Sequence, residues 1–190
     1  MGPETPVNEA KFPSVTEMKP PAGGLERLPP ICGDFNMRID RNGTWYYQGS
    51  PIGRLALVKL FSTVLRRDEQ GDFWLTTPVE NGRIQVEDAP FIAIEATVTG
   101  TGRDQVITLR TNVEDQVVLG PDHPLRIAVE PSSLEPRPYI VVRANLEARI
   151  ARSVYYHLVD IGEPAADDDT VFGVWSSGQF FPLGPISGPA

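Results

Sequence analysis

Apolar and polar positions alternate along most of this chain. Met37 and Ile39 alternate with Arg38 and Asp40, and Asn42-Gly43 follows, a pair that tolerates the positive φ of a hairpin turn. Trp45 and Tyr47 share one face of the returning strand. Further strands are predicted over 73–77, 83–87, 91–98, 106–113, 116–119, 125–129, 139–142 and 146–150. In the 91–98 strand, Ile92, Ile94, Ala96 and Val98 are placed on one face. Leu146, Ala148 and Ile150 face one side of their strand, Glu147 and Arg149 the other. Strands at 171–175 and 179–183, turned by Ser-Ser-Gly, are expected to close the sheet.

Two helices interrupt this pattern. One is expected after Ser50, the other over 154–161. Short strands with few helices imply an α+β chain of antiparallel sheets, each with a helix. When the sequence is displaced so that Asn42 falls on Asn145, Ser50 falls on Ser153 and Leu55 on Leu158. Met37 and Ile39 then fall on Ile140 and Val142. Both copies read strand, turn, strand, serine, helix, the order a duplication leaves. The predicted units are a disordered or loosely docked arm over 1–30, α+β domains over 31–85 and 86–184, and a tail over 185–190. Gly184 already reads as frayed. The loop at 165–170, with Asp167, Asp168 and Asp169, reads as exposed.

The stretch "TWYYQGSPIGRLALVKLF" raises the first chemical question. Ser50 suits an N-cap and Pro51 the first helical position. Arg54 then lies in the first turn, where the helix end is already positive. It also begins the apolar series Leu57, Val58, Phe61, Leu65, which points it toward the packed side. A buried arginine needs a partner. The partner is either an internal carboxylate (Asp34, Glu87 or Asp88) or the phosphate or carboxylate of a ligand, which a guanidinium grips through two donors.

Arg137 to Tyr156 contains four arginines. Arg149 and Arg152, with Arg38 and Arg54, would form an anion pocket if they converge on the helix starts. The alternative is pairing with Glu147, Asp160 and Glu163. Glu87 and Asp88 are adjacent on a strand end and point to opposite faces, so they are not a ready acid–base pair. Trp175 and Tyr139 are candidates to stack on an aromatic ligand part.

The net charge of −8 argues against a general nucleic-acid binder and against adsorption to an anionic membrane. A single cysteine, Cys32, allows no internal disulfide, and two histidines, His123 and His157, offer no zinc spacing. No metal or cofactor is implied. No secretory signal or membrane-length apolar run is visible, so a cytoplasmic protein is expected. "GTGRDQ" (Gly100–Gln105) precedes a strand rather than a helix and reads as a hairpin turn, not a dinucleotide loop. The serines of "GVWSSGQFFPLG" lack the glycine spacing of a nucleophile elbow.

The strings "CGDFNMRIDRNGTWYYQGSPIGR", "TPVENGRIQVEDAPF", "RPYIVVRANLEARIARSVYYHL" and "GVWSSGQFFPL" resemble an uncharacterised proteobacterial domain-of-unknown-function family. The resemblance runs from about Pro30 to Leu183. It implies two α+β domains related by duplication, the C-terminal one superficially like a pleckstrin-homology fold. It also implies a nucleotide-like ligand at the domain interface and a role in signalling. The expected function is therefore a ligand-binding or regulatory protein for an anionic, nucleotide-like molecule held by Arg38, Ser50, Arg54, Glu87, Asp88, Tyr139, Arg149, Arg152 and Trp175. A signalling protein partner is expected alongside. The alternatives are a protein-interaction module without a small ligand and a hydrolase using Glu87 or Asp88.

Overall fold

The computed structural model describes residues 31–130 and 135–186. The arm expected over 1–30, the Cys32 side chain and the tail beyond Ile186 lie outside the described residues.

The first sheet contains β1 (Ile31–Ile39), β2 (Trp45–Tyr47), β3 (Ser50–Pro51), β4 (Leu65–Arg67), β5 (Phe73–Thr76) and β6 (Asn81–Val86), with α1 (Leu55–Thr63) between β3 and β4. Its strand order is β3-β2-β1-β6-β5-β4. The second contains β7 (Phe91–Thr99), β8 (Val106–Thr111), β9 (Gln116–Val118), β10 (Leu125–Val129), β11 (Pro136–Arg143) and β12 (Leu146–Ile150), in the order β10-β11-β12-β7-β8-β9. Helix α2 (Arg152–Asp160) follows at once. A third, small sheet is made of β13 (Glu163–Pro164), β14 (Val171–Ser176) and β15 (Gln179–Pro185). The fold is α+β, mostly sheet with two helices.

Numbered from its own first strand, each large sheet has the same order: 3-2-1-6-5-4. Two antiparallel meanders are joined through a parallel pair of first and last strands, β1 with β6 and β7 with β12. This shared order is the repeat, and its register differs from the one read in the sequence. The displacement that sets Asn42 on Asn145 equates β1 with β11, although β1 is central in its sheet and β11 lies one strand off centre. It follows a hairpin-plus-helix resemblance. The helices occupy different points of the two repeats, since α1 precedes the fourth strand and α2 follows the sixth.

The turn signals act as their chemistry demands. Gly43 has φ +76° and closes the β1–β2 turn, while Asn42 stays at negative φ. Ser177 and Gly178, at φ +53° and +75°, make the tight β14–β15 turn. Residues 100–105 form the β7–β8 turn around a short 3-10 segment, Gly102–Asp104.

Four expectations are corrected. Ser50 does not cap a helix: Gln48 and Gly49, at φ +47° and +82°, turn the chain back, and Ser50-Pro51 pairs with Tyr46-Tyr47 as β3. In β7 the register shifts between Ala93 and Glu95, a bulge that reverses the facing of later residues. Phe91 and Ala93 therefore enter the core with Ala96 and Val98, while Ile94 is left 42% exposed. The 171–185 strands form their own sheet rather than closing the large one. Gly184 and Pro185 belong to β15, paired with Phe172 and Val171.

One apolar cluster runs from Met37, Ile39 and Trp45 through Phe91, Leu109, Ile140 and Leu158 to Phe181 and Leu183. The second sheet also reaches the first with four donor side chains, each directed at a main-chain carbonyl. Asn112 bonds Gly43 (3.1 Å), Arg143 bonds Ser62 (2.7 Å), Asn145 bonds Arg67 (3.1 Å) and Arg149 bonds Arg41 (2.6 Å).

Candidate functional site

The connection after β6 carries Glu87 and Asp88, and the two carboxylates diverge as adjacent strand residues do. Glu87 turns to the first sheet. It pairs with Arg38 and accepts the Arg41 backbone N–H at 3.2 Å. Asp88 turns to the second sheet. It accepts the Tyr139 hydroxyl at 2.7 Å, and its Oδ2 lies 3.3 Å from Arg149 Nε at ion-pair distance, without hydrogen-bond alignment.

Arg41 closes the circuit, because its N–H meets Glu87 and its carbonyl receives Arg149. Of the nine residues singled out in the sequence, Arg38, Glu87, Asp88, Tyr139 and Arg149 thus form one chain of contacts across the junction of the two sheets. Arg38 also lies 4.2 Å over the Tyr46 ring, and Arg126 lies 4.4 Å over Tyr139 while pairing with Glu147.

Electrostatics fit this geometry. Burial pushes the Tyr139 phenol above its ordinary value, and the hydrogen bond to Asp88 adds to that. At Asp40, burial opposes ionisation. The Thr44 and Asn42 N–H groups, the Tyr46 hydroxyl and the Arg38 charge outweigh it, so the carboxyl lies below its ordinary value. Asp68, Glu114 and Asp168 are likewise lowered.

The remaining four residues lie outside this chain of contacts. Ser50 is exposed on β3. Arg54 is the N-cap residue of α1 and is exposed rather than packed, with no ion pair among the described residues. Neither Asp34, Glu87 nor Asp88 is its partner. Helix α1 starts four residues later than the serine signal implied, and it buries Val58 and Ser62 instead of an arginine-led stripe. Arg152, the first residue of α2, has a side chain 71% exposed and pairs with Glu135 at 3.2 Å. Trp175 is half-buried in β14, covered by Arg103 at 4.8 Å and by the edge of Phe180.

A groove of about 460 Å³ opens beside Arg38, lined also by Asp34, Asn36, Gln48, Gly49 and Gln85. Its shape comes from an irregularity in β1, where the β6 register shifts between Asp34 and Arg38 and Asn36 takes φ +51°. Nothing in the alternating pattern marks this groove, since a bulge does not alter the order of apolar and polar residues. Arg41 was equally hidden, because it acts through its backbone.

Models of the two halves of one family match the chain. A "domain of unknown function (DUF1285), N-terminal domain" covers residues 26–89, and a "protein of unknown function (DUF1285), C-terminal domain" covers 90–183. The chain belongs to the DUF1285 family. A solved DUF1285 protein from Silicibacter pomeroyi is 52% identical, with a TM-score of 0.78 over 83% of this chain and 84% of that one. A DUF1285 protein from Shewanella baltica is 23% identical, with a TM-score of 0.51 over 65% of this chain and 90% of that one, and shares the fold. No curated protein matches the sequence. The family junction between residues 89 and 90 falls one residue after Glu87-Asp88, so in this DUF1285 chain the carboxylate pair ends one half, Glu87 holding that half and Asp88 contacting the other. Among the described residues no helix is long and apolar enough to cross a membrane.

Proposed function

We propose that this DUF1285 protein is a cytoplasmic regulatory protein that binds an anionic, nucleotide-like small molecule in the groove beside Arg38, within the first unit rather than at the domain interface the resemblance implies. The observation that carries the reading is the double position of Arg38, which lines the groove and holds Glu87. An anion gripping that guanidinium competes with Glu87 and loosens the connection that Asp88 ties to Tyr139 and Arg149. Occupancy of the first unit, 31–85, is thereby passed to the second, 86–184, which is what a signalling role requires. The groove volume lies in the range of about 300–1,000 Å³ typical of small-molecule sites. Gln48, Gln85 and Asn36 supply amides for a base or sugar, and Ser50 follows the lining residue Gly49 in the chain.

Isothermal titration against nucleotides and cyclic dinucleotides tests this. The expected result is saturable binding that Arg38→Ala abolishes and Arg152→Ala leaves intact. Equal binding in Arg38→Ala and wild type overturns the assignment.

A second reading, a protein-interaction module, has its own observation. Arg38, Arg149 and Arg152 are each paired with a carboxylate, and Leu55 and Leu60 of α1 stay 45% and 43% exposed. It is favoured if no nucleotide binds and the protein associates with concentration. The hydrolase reading has less support, because Glu87 and Asp88 are both engaged by arginines.

A further inference from the structure

A second groove, of about 160 Å³, lies between β4 and the β11–β12 turn and is lined by Arg66, Arg67, Arg143 and Asn145 among others. It lies where α1 ends. Arg66 donates from Nη1 to the Thr63 carbonyl at 3.2 Å and to the Leu65 carbonyl at 2.9 Å. Arg143 donates from Nη2 to the Ser62 carbonyl at 2.7 Å. Two guanidiniums, one from each large sheet, therefore meet at consecutive carbonyls.

Part of that arrangement is explained by the helix. Its C-terminal carbonyls carry a partial negative charge of about half a unit and accept cations readily. Asp115, 2.5 Å from Arg143 Nη1, supplies one full negative charge. Arg66 and Arg67 have no ion-pair partner among the described residues, and Arg67 uses Nε on the Gly71 carbonyl at 3.3 Å. Two cations, Arg66 and Arg143, thus share one carboxylate and a helix end, with Arg67 beside them over the Phe73 ring. Each guanidinium has five N–H donors, and most of those in this groove are not used within the protein. Like charges held this close favour an added anion.

We propose that this groove is a binding site for a small oxyanion: a phosphate, either free or as the terminal group of a phosphomonoester. Arg66 and Arg143 grip it, and Asn145 and Arg67 flank it. The space is too small for a nucleoside and sufficient for a tetrahedral anion. A bound phosphate bridges an arginine of the first sheet to one of the second, adding an ionic link to a seam that already carries the Lys59–Glu114 and Asp88–Arg149 pairs. The site is independent of the Arg38 groove.

The test is titration of the full chain with inorganic phosphate, glycerol phosphate and glycerol, followed by phosphorus NMR or calorimetry. Both phosphates are expected to bind saturably and glycerol not at all. The tighter of the two shows whether the free ion or the ester is the natural occupant. Arg66→Gln is expected to weaken binding by about tenfold, the worth of one charge-assisted hydrogen bond. Asp115→Asn is expected to strengthen it, because Arg143 loses its internal competitor. Arg38→Ala, which removes the nucleotide site proposed above, is expected to leave phosphate binding unchanged. No saturable binding, equal binding in Arg66→Gln and wild type, or no gain in a folded Asp115→Asn protein overturns the proposal.

Discussion

Tyr139 donates its hydroxyl hydrogen to Asp88 across 2.7 Å, joining the centre of β11 to the connection that leaves the first sheet. Tyr139 is 6% exposed, so this bond is largely shielded from water. Removing the hydroxyl leaves a carboxylate oxygen without that donor. Tyr139→Phe is expected to destabilise the fold by about 2 kcal/mol, read from the midpoint of urea unfolding.

The same phenol sets an alkaline limit. Burial raises the pKa of both Tyr139 and Tyr155 above 10.0, helped at Tyr139 by Asp88 and at Tyr155 by Tyr156. A raised folded-state pKa means that the stabilisation is complete below the unfolded value and is lost as pH rises through the folded one. Unfolding midpoints are therefore expected to hold up to about pH 10 and to fall beyond it. Tyr139→Phe is expected to flatten part of that fall. An unchanged alkaline slope in the variant would assign the loss elsewhere.

Gly43 is a close-packed point of the seam between the two large sheets. At φ +76° it occupies backbone space that a side chain strains, and a Cβ there would lie 2.6 Å from Asn112 Nδ2 and 2.8 Å from Ile92 Cγ1. Asn112 also donates to the Gly43 carbonyl and accepts the Ile92 N–H. Gly43→Ala is expected to cost about 2–3 kcal/mol, combining positive-φ strain with displacement of Asn112. Thermal unfolding measures it, and Gly49→Ala is the control, since nothing lies within 4 Å of that position.

Ser176 fastens the small third sheet. Its fully buried hydroxyl donates to the Leu119 carbonyl at 2.6 Å and accepts the Ile107 N–H at 3.0 Å. Ser177 also donates to Leu119, so that carbonyl keeps a partner when Ser176 is lost. The cost of Ser176→Ala therefore falls on the Ile107 N–H, about 2 kcal/mol for a buried orphan donor. Hydrogen exchange at the Ile107 amide is expected to accelerate in step with the lost stability.

Much of the architecture was legible because its signals are local. Asn42-Gly43, Ser177-Gly178 and Gly100–Gln105 mark turns through residues that accept positive φ, and β12 alternates as written. The corner at Ser50 was misread because serine then proline suits a helix start as well as a short edge strand. The deciding residue was Gly49, which lets Gln48-Gly49 act as a hairpin turn. The β7 bulge was hidden for another reason. Ile94 is as apolar as its neighbours, and nothing in a two-residue period announces an inserted residue.

The site divides along the same line. Glu87, Asp88, Arg38, Arg149 and Tyr139 were found as charged or aromatic residues on or beside predicted strands. Their partition into two sheets depends on a connection whose path only the fold supplies. Arg66 and Arg143 were passed over because they are far apart in sequence and meet only through the end of α1.

The parallel joins β1–β6 and β7–β12 have a consequence for how the chain is made. Each sheet begins with a strand whose inner neighbour is the last one synthesised, so β1 waits for Val86 and β7 for Ile150 with one edge unpaired. Such distant pairing slows folding and leaves open edges that attract other chains. Completion of β12 ends that exposure for the second half. Because β12 also carries Arg149 to the Arg41 carbonyl, the same late step fastens the newer half onto the older one.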